Sequence, residues 1–205
     1  MASQISHIIY AHKYFEKYLA KPAFKDEFVL GCVFPDIRRI EKNLKRRDTH
    51  LCFSLLNLNF SGLTPFQAGC KFHMYCDMKR EEILNKYKFY SLENIGIFEI
   101  IANKLVEDEL LYDECNNWEK VAHYFNNAPK IETGIDIAQE TIGLWYAIIA
   151  KYIEKKPNKK TMRIFLTKMP GLMNKAAEIM ESVDNLRKNE KVIEILRKIK
   201  NEIIQ

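Results

Sequence analysis

The stretch "TPFQAGCKFHMYCDMKREEILNKY", residues 64 to 87, leaves the chain little choice of local structure. Thr64 can accept from the free backbone donors of a first helical turn, and Pro65 stands where its missing N–H costs nothing. No further proline and a single glycine, Gly69, follow before Tyr87. A long helix is therefore predicted, and its inward stripe at helical spacing is Phe66, Gly69, Cys70, His73, Asp77 and Leu84. Two polar residues, His73 and Asp77, thus lie on a face that should meet the core.

The rest of the chain reads the same way. Only 7 Gly and 6 Pro interrupt 205 residues, too few for the closely spaced turns of an all-β protein. A first helix starts near Ser3 or Ser6 and is ended by Pro22. A second, "AFKDEFVLGCVF", stops at Pro35 because the residue before a proline is pushed out of the α region, so Asp36 falls at a helix-to-loop boundary. Further helices are expected over about 92–113, 117–126 and 133–155, a short one from Thr161, and one or two more to the end. The reading is an all-α multi-helix bundle forming a single helical domain over 1–205, with helices of interest in about 3–90 and additional helices in about 92–205.

Lys and Arg number 32 against 27 Asp and Glu, a net charge of +5 that suits phosphate-bearing partners without identifying one. The densest basic run, "KNLKRRDTH" with Arg38 and Arg39 before it, reads as a solvated face or loop. Nucleic-acid binding rests on this charge alone, with no recognisable motif. The first dozen residues carry charges and histidines, unlike a signal peptide, and no uncharged run approaches a membrane span. Five cysteines (Cys32, Cys52, Cys70, Cys76 and Cys115) without a C-x-x-C pair argue against a disulfide framework and a thiolate zinc site. A cytoplasmic chain with reduced, buried thiols is expected. Nothing in the sequence fixes an oligomeric state.

His73 and Asp77 are four apart, so on a helix they stand one turn apart on one face. They are either a hydrogen-bonded core pair or two metal ligands. Burying an unpaired carboxylate costs several kcal/mol, so Asp77 needs a strong partner. His7, Asp36 and His50 each fall near an element end, where side chains can converge inside a bundle. Three imidazoles and two carboxylates make an N/O set suited to zinc, with manganese and iron as the other first-row ions that fit. Gly69, one turn before His73, leaves room for a ligand or a neighbouring helix. Glu107 and Asp108 read as exposed acids on an amphipathic helix, His12 as surface, and His123 as structural or surface.

A histidine near the start, "LGCVFPDI", "TH" and then a G-x-x-x-H-x-x-x-D helix, here "GCKFHMYCD", resemble the zinc-dependent phospholipase C and P1 nuclease family over about residues 5–80. The resemblance implies an all-helical phosphoric-ester hydrolase acting on a phosphodiester or phospholipid head group. It implies that Asp36, His50, His73 and Asp77 hold one metal, that His7 and Asp77 contribute to a second, and that Asp36 takes a proton from the attacking water. Two departures stand out. Residue 1 is Met where secreted members of the family begin with a metal-binding tryptophan amine, and the only later histidine, His123, is followed four residues on by Asn127 where the family places a glutamate. The expectation is a one- or two-metal phosphoesterase, and the alternative a non-catalytic helical binding protein with a structural metal site.

Overall fold

The computed structural model describes residues 4–18, 22–50, 53, 55–92 and 95–204, with residues 22 and 23 described by their backbone only. Among these residues all regular secondary structure is helical and there is no strand. The helices are α1 (Gln4–Lys17), α2 (Pro22–Val33), α3 (Arg46–Thr49), α4 (Pro65–Lys86), α5 (Ile97–Leu111), α6 (Trp118–Asn126), α7 (Gln139–Ile153), α8 (Lys159–Thr167), α9 (Ala176–Arg187) and α10 (Glu190–Glu202). The Ser3 start falls outside the described residues, as does Cys52.

The helix start at Thr64 has the expected cause. The Thr64 side chain accepts from the Gln67 backbone N–H at 3.2 Å while the Gln67 side chain accepts from the Thr64 N–H at 3.1 Å, closing a reciprocal capping box. The two prolines behave differently from the sequence expectation. Pro22 opens α2, where its fixed φ suits a first helical position, rather than merely ending α1. Pro35 does not release the chain into a loop: α2 ends at Val33 and passes into a 3-10 turn, Phe34–Arg39, that holds Asp36 inside the protein. A proline's restricted φ is compatible with the first turn of such a helix.

The centre of the bundle is the crossing of α2 on α4. A Cβ added to Gly31 would meet the Phe66 carbonyl oxygen at 2.1 Å, and one added to Gly69 would meet the Phe28 carbonyl oxygen at 2.1 Å. Two glycines thus face each other and let the backbones touch, which fulfils the neighbouring-helix expectation for Gly69. Around this crossing pack Tyr14, Phe15, Phe28, Phe60 and Phe72, with Phe28 and Phe72 centroids 5.3 Å apart. From the C-terminal half, α7 caps the end of α2: the Trp145 indole N–H donates to the Val33 carbonyl at 3.0 Å and the Tyr146 hydroxyl to the Leu30 carbonyl at 3.3 Å. These are carbonyls of a helix's last turn, which otherwise lack partners within the helix.

Candidate metal centre

The first two turns of α1 are buried on every side, from Gln4 through Ala11. Polar groups there need partners, and Gln4, Ser6 and Tyr10 each find one on another element. Gln4 donates its side-chain amide to Asp36 at 2.9 Å. Ser6 gives both its backbone N–H (2.8 Å) and its hydroxyl (3.1 Å) to Asp108 on α5, so a carboxyl group from another helix, pushed up to about 8 by burial, satisfies a free donor of the α1 N-terminus. The Tyr10 hydroxyl donates to Glu107, whose other oxygen accepts from Arg80 at 2.7 Å, while Arg80 also donates to Asn103. Arg80 stands three residues after Asp77, so Glu107 ties α1, α4 and α5 together at the back of the site. The expectation that Glu107 and Asp108 are exposed is therefore corrected: both are fully buried, because an amphipathic pattern cannot reveal which helix has a polar network on its inner side.

His7 remains, and it faces α4. Its ring stacks on that of His73 with centroids 4.0 Å apart and planes 20° from parallel, and both side chains are fully buried. His7 Nε2 lies 3.7 Å from one oxygen of Asp77, and His73 Nε2 lies 3.7 Å from the other. One ligand atom from each of the three residues falls within 4.8 Å of the others. A contact of 3.7 Å is too long for a hydrogen bond, but tetrahedral ligands on ~2.1 Å bonds sit about 3.4 Å apart, close to what is seen. The His73 tautomer is set by the Cys32 carbonyl, 2.7 Å from Nδ1, which accepts a hydrogen bond from Nδ1–H and leaves Nε2 with a lone pair toward Asp77.

His50 and Asp36 lie beside this nest of three rather than within it. His50 closes α3, and its ring meets the edge of His73 at a centroid distance of 5.6 Å, with Nδ1 3.1 Å from the Thr49 hydroxyl. Asp36 has one oxygen on Gln4, and its other oxygen lies 3.7 Å from Arg38 and 3.9 Å from Arg39. All five sequence candidates thus come from α1, the Phe34–Arg39 turn, α3 and α4 to one region. The fit to a cation rests on nitrogen atoms. Both nitrogens of His7, and Nε2 of His50 and of His73, are buried with no hydrogen-bond partner among the described residues.

The electrostatics favour metal-ready ligands at neutral pH. Burial, helped by the neighbouring His7, pushes His73 down to about 4; burial, His73 and Arg46 push His50 down to about 4. Burial would raise Asp77, but His73 and His7 outweigh it and hold the acid well below its ordinary range. Burial likewise opposes ionisation of Asp36, and His73 and Arg39 overcome it. At pH 7 His50 and His73 are therefore neutral imidazoles beside two carboxylates.

Several residues here were not apparent in the sequence. Gln4 is one, although its place one turn before His7 was a usable signal. Lys104 is another: it is buried on α5, lines a cavity of about 40 Å³ with Gln4, Asp36 and Arg39, and burial with the nearby Arg80 pushes it down to about 7. The basic run divides. The Arg38 and Arg39 side chains are only 17% and 18% exposed, whereas Arg47 is 79% exposed as a solvated charge should be. His12 is half-buried rather than surface, and His123 is exposed on α6. A larger apolar cavity of about 280 Å³ between α7 and α8 includes none of the candidate ligands.

Comparison with family models, with curated proteins and with solved structures finds no match to this chain.

Proposed function

We propose that this chain is a metal-dependent phosphoric-ester hydrolase of the zinc-dependent phospholipase C and P1 nuclease kind, cytoplasmic, with zinc the first ion to try and manganese or iron the others. The observation that carries the reading is the set of buried imidazole nitrogens around Asp77 without hydrogen-bond partners among the described residues. Leaving such groups unsatisfied costs about 1–3 kcal/mol each, an expense that a bound cation removes. His7, His73 and Asp77 would hold one ion, with His50 and Asp36 beside them as further ligands to that ion or to a second.

A divalent ion here would lower the pKa of a water molecule and offset charge on phosphoryl oxygens. Asp36 supplies the basicity: Gln4 fixes one of its oxygens, the second faces Arg38 and Arg39, and the acid stays ionised at neutral pH ready to accept a proton. His73 is held by Cys32 in the tautomer that offers a lone pair, and Glu107 and Asp108 fix α1 so that His7 meets it. The test is turnover of an aryl phosphodiester and an aryl phosphomonoester by the full chain with zinc, manganese or iron supplied. Metal-dependent turnover that disappears in His73→Ala supports the reading, and absence of turnover with all three metals overturns it.

One feature favours a structural metal instead. His123 on the outer face of α6 and Asn127 at its C-cap are both exposed, so the family's later His and Glu pair has no counterpart there. On that reading zinc raises stability and no ester is cleaved.

A further inference from the structure

We propose that the groove between α7 and α8 binds a medium-chain aliphatic carboxylate, its chain laid against Ile148, Tyr152, Ile164 and Phe165 and its head group on Lys168 and Lys151. None of the candidate metal ligands borders this space, so the site stands or falls apart from the hydrolase reading. The floor is preformed. The Tyr152 and Phe165 rings stack with centroids 4.0 Å apart and planes 14° from parallel, and both residues are buried. Ile164, 46% exposed, forms one edge, and Leu144, one turn before Ile148 on α7, continues the apolar surface at 56% exposure. Large apolar side chains left open to water along a concave surface mark a place where a ligand is received.

The polar groups of the lining point to the ligand's charge. The Thr161 hydroxyl is taken up by Asn158, donating to its carbonyl at 3.2 Å and accepting from its N–H at 2.9 Å, and the Tyr152 hydroxyl is buried toward Asp108. Two ammonium groups remain, and no acid lines the cavity. Lys151 is paired with Glu154 at 2.6 Å, whereas Lys168 has no hydrogen bond or ion pair among the described residues. With Glu154 counted at full charge, the three groups together still carry +1. After Glu154 the chain has seven Lys and Arg and no Asp or Glu before Glu178, so α8 supplies no acid of its own to neutralise Lys168. A carboxylate on an aliphatic chain answers the walls and the ammonium at once. The cavity measures about 280 Å³. At roughly 30 Å³ per heavy atom, about the share of a water molecule in the liquid, that is room for about eight to ten carbons.

The experiment is calorimetric titration of the full chain at pH 8 with hexanoate, octanoate, decanoate and dodecanoate, each below its micellar concentration. Affinity should rise about three- to fourfold per added methylene up to roughly ten carbons and then level off as the cavity fills. Decyltrimethylammonium, with the same chain and the opposite charge, should bind at least tenfold more weakly than decanoate. Lys168→Glu should weaken decanoate about 10- to 100-fold, the range of one charge-assisted hydrogen bond. Ala147→Phe, at an exposed position of α7 that borders the cavity, should fill it and abolish binding. Lys120→Glu, exposed on α6, makes the same charge change elsewhere and should leave binding unchanged. No binding of decanoate, equal affinity for the cation, affinity still climbing at dodecanoate, or an equal loss in Lys120→Glu overturns the proposal. So does retention of the chain on anionic phospholipid vesicles without binding of free decanoate, which would assign the face to a membrane surface. If Ala147→Phe loses its helical circular dichroism, the exposed Lys168 decides alone.

Discussion

The rings of His7 and His73 stack face to face at 4.0 Å across the α1–α4 interface, each with a buried Nε2 directed to a different oxygen of Asp77. Stacking two imidazole rings gains little compared with what their buried nitrogens lose without partners among the described residues, so the arrangement is best explained by a ligand shared between them.

Metal binding should therefore stabilise the fold. At a free zinc concentration 100 times Kd the gain is about 2.7 kcal/mol, or roughly 5–10 °C in Tm for a chain of this size. Thermal unfolding with zinc, and again after exhaustive chelation, measures it. An unchanged midpoint would leave the histidines as ordinary polar groups.

Asp36→Asn and His73→Ala should separate ligand from base. The Asn variant keeps side-chain volume and an oxygen for Gln4, so it should retain much of its metal yet turn over about 10²- to 10⁴-fold more slowly. His73→Ala should lose metal and stability together. Metal content beside initial rate decides, and an Asn variant with full metal and full rate removes Asp36 from the role of base.

The metal-free protein should weaken in mild acid. His73 and His50 titrate at about 4 in the fold against an ordinary value of 6.5, so the unfolded chain takes up protons first as pH falls. Their contribution is present above pH 6.5 and is lost between 6.5 and 4, by about 3 kcal/mol for the fully buried His73 and less for His50. Asp36 and Asp77, held below 3.8, act in a separate and more acidic window. Urea midpoints at several pH values test this, and a flat profile from 6.5 to 4.5 in His73→Gln alongside a sloping wild type would assign it to that ring.

Breaking the Arg80–Glu107 pair should be severe. Glu107→Ala leaves a fully buried guanidinium and the Tyr10 hydroxyl without their acceptor, at a cost of about 3–5 kcal/mol. The double variant with Arg80→Met should lose less than the two single losses added together, since no charge is then stranded. Denaturant unfolding of the four proteins supplies the cycle, and strict additivity would contradict the coupling.

Gly69→Ala tests the α2–α4 crossing. Alanine favours a helix over glycine by about 1 kcal/mol, but a Cβ 2.1 Å from the Phe28 carbonyl cannot be accommodated without moving backbone, and overpacking of that kind costs about 1–3 kcal/mol or more. A net loss of stability is expected, with weaker zinc binding because His73 and Cys32 would part. A stabilised variant would show that the helices have slack.

The features legible in sequence were those with local causes. The Thr64–Pro65 start, the stripe from Phe66 to Leu84 and the role of Gly69 follow from neighbours in the chain, and the structure places them as read. Features set by distant partners were not legible. Glu107 and Asp108 looked like exposed acids because their partners Tyr10 and Ser6 lie 97 and 102 residues away. Arg38 and Arg39 looked like part of a solvated run, and only the inward 3-10 turn after Pro35 separates them from Arg47.

The hydrogen bonds from Trp145 and Tyr146 to the end of α2 bear on modularity. All five candidate ligands occur before residue 80, which invites excision of that portion as a minimal catalyst or its transplantation into another scaffold. Yet the turn that carries Asp36 hangs from Val33, and Val33 is held by an indole 112 residues later in the chain. Recombination between related chains anywhere between α4 and α7 would separate the ligands from this support, so the two halves should be exchanged or inherited together.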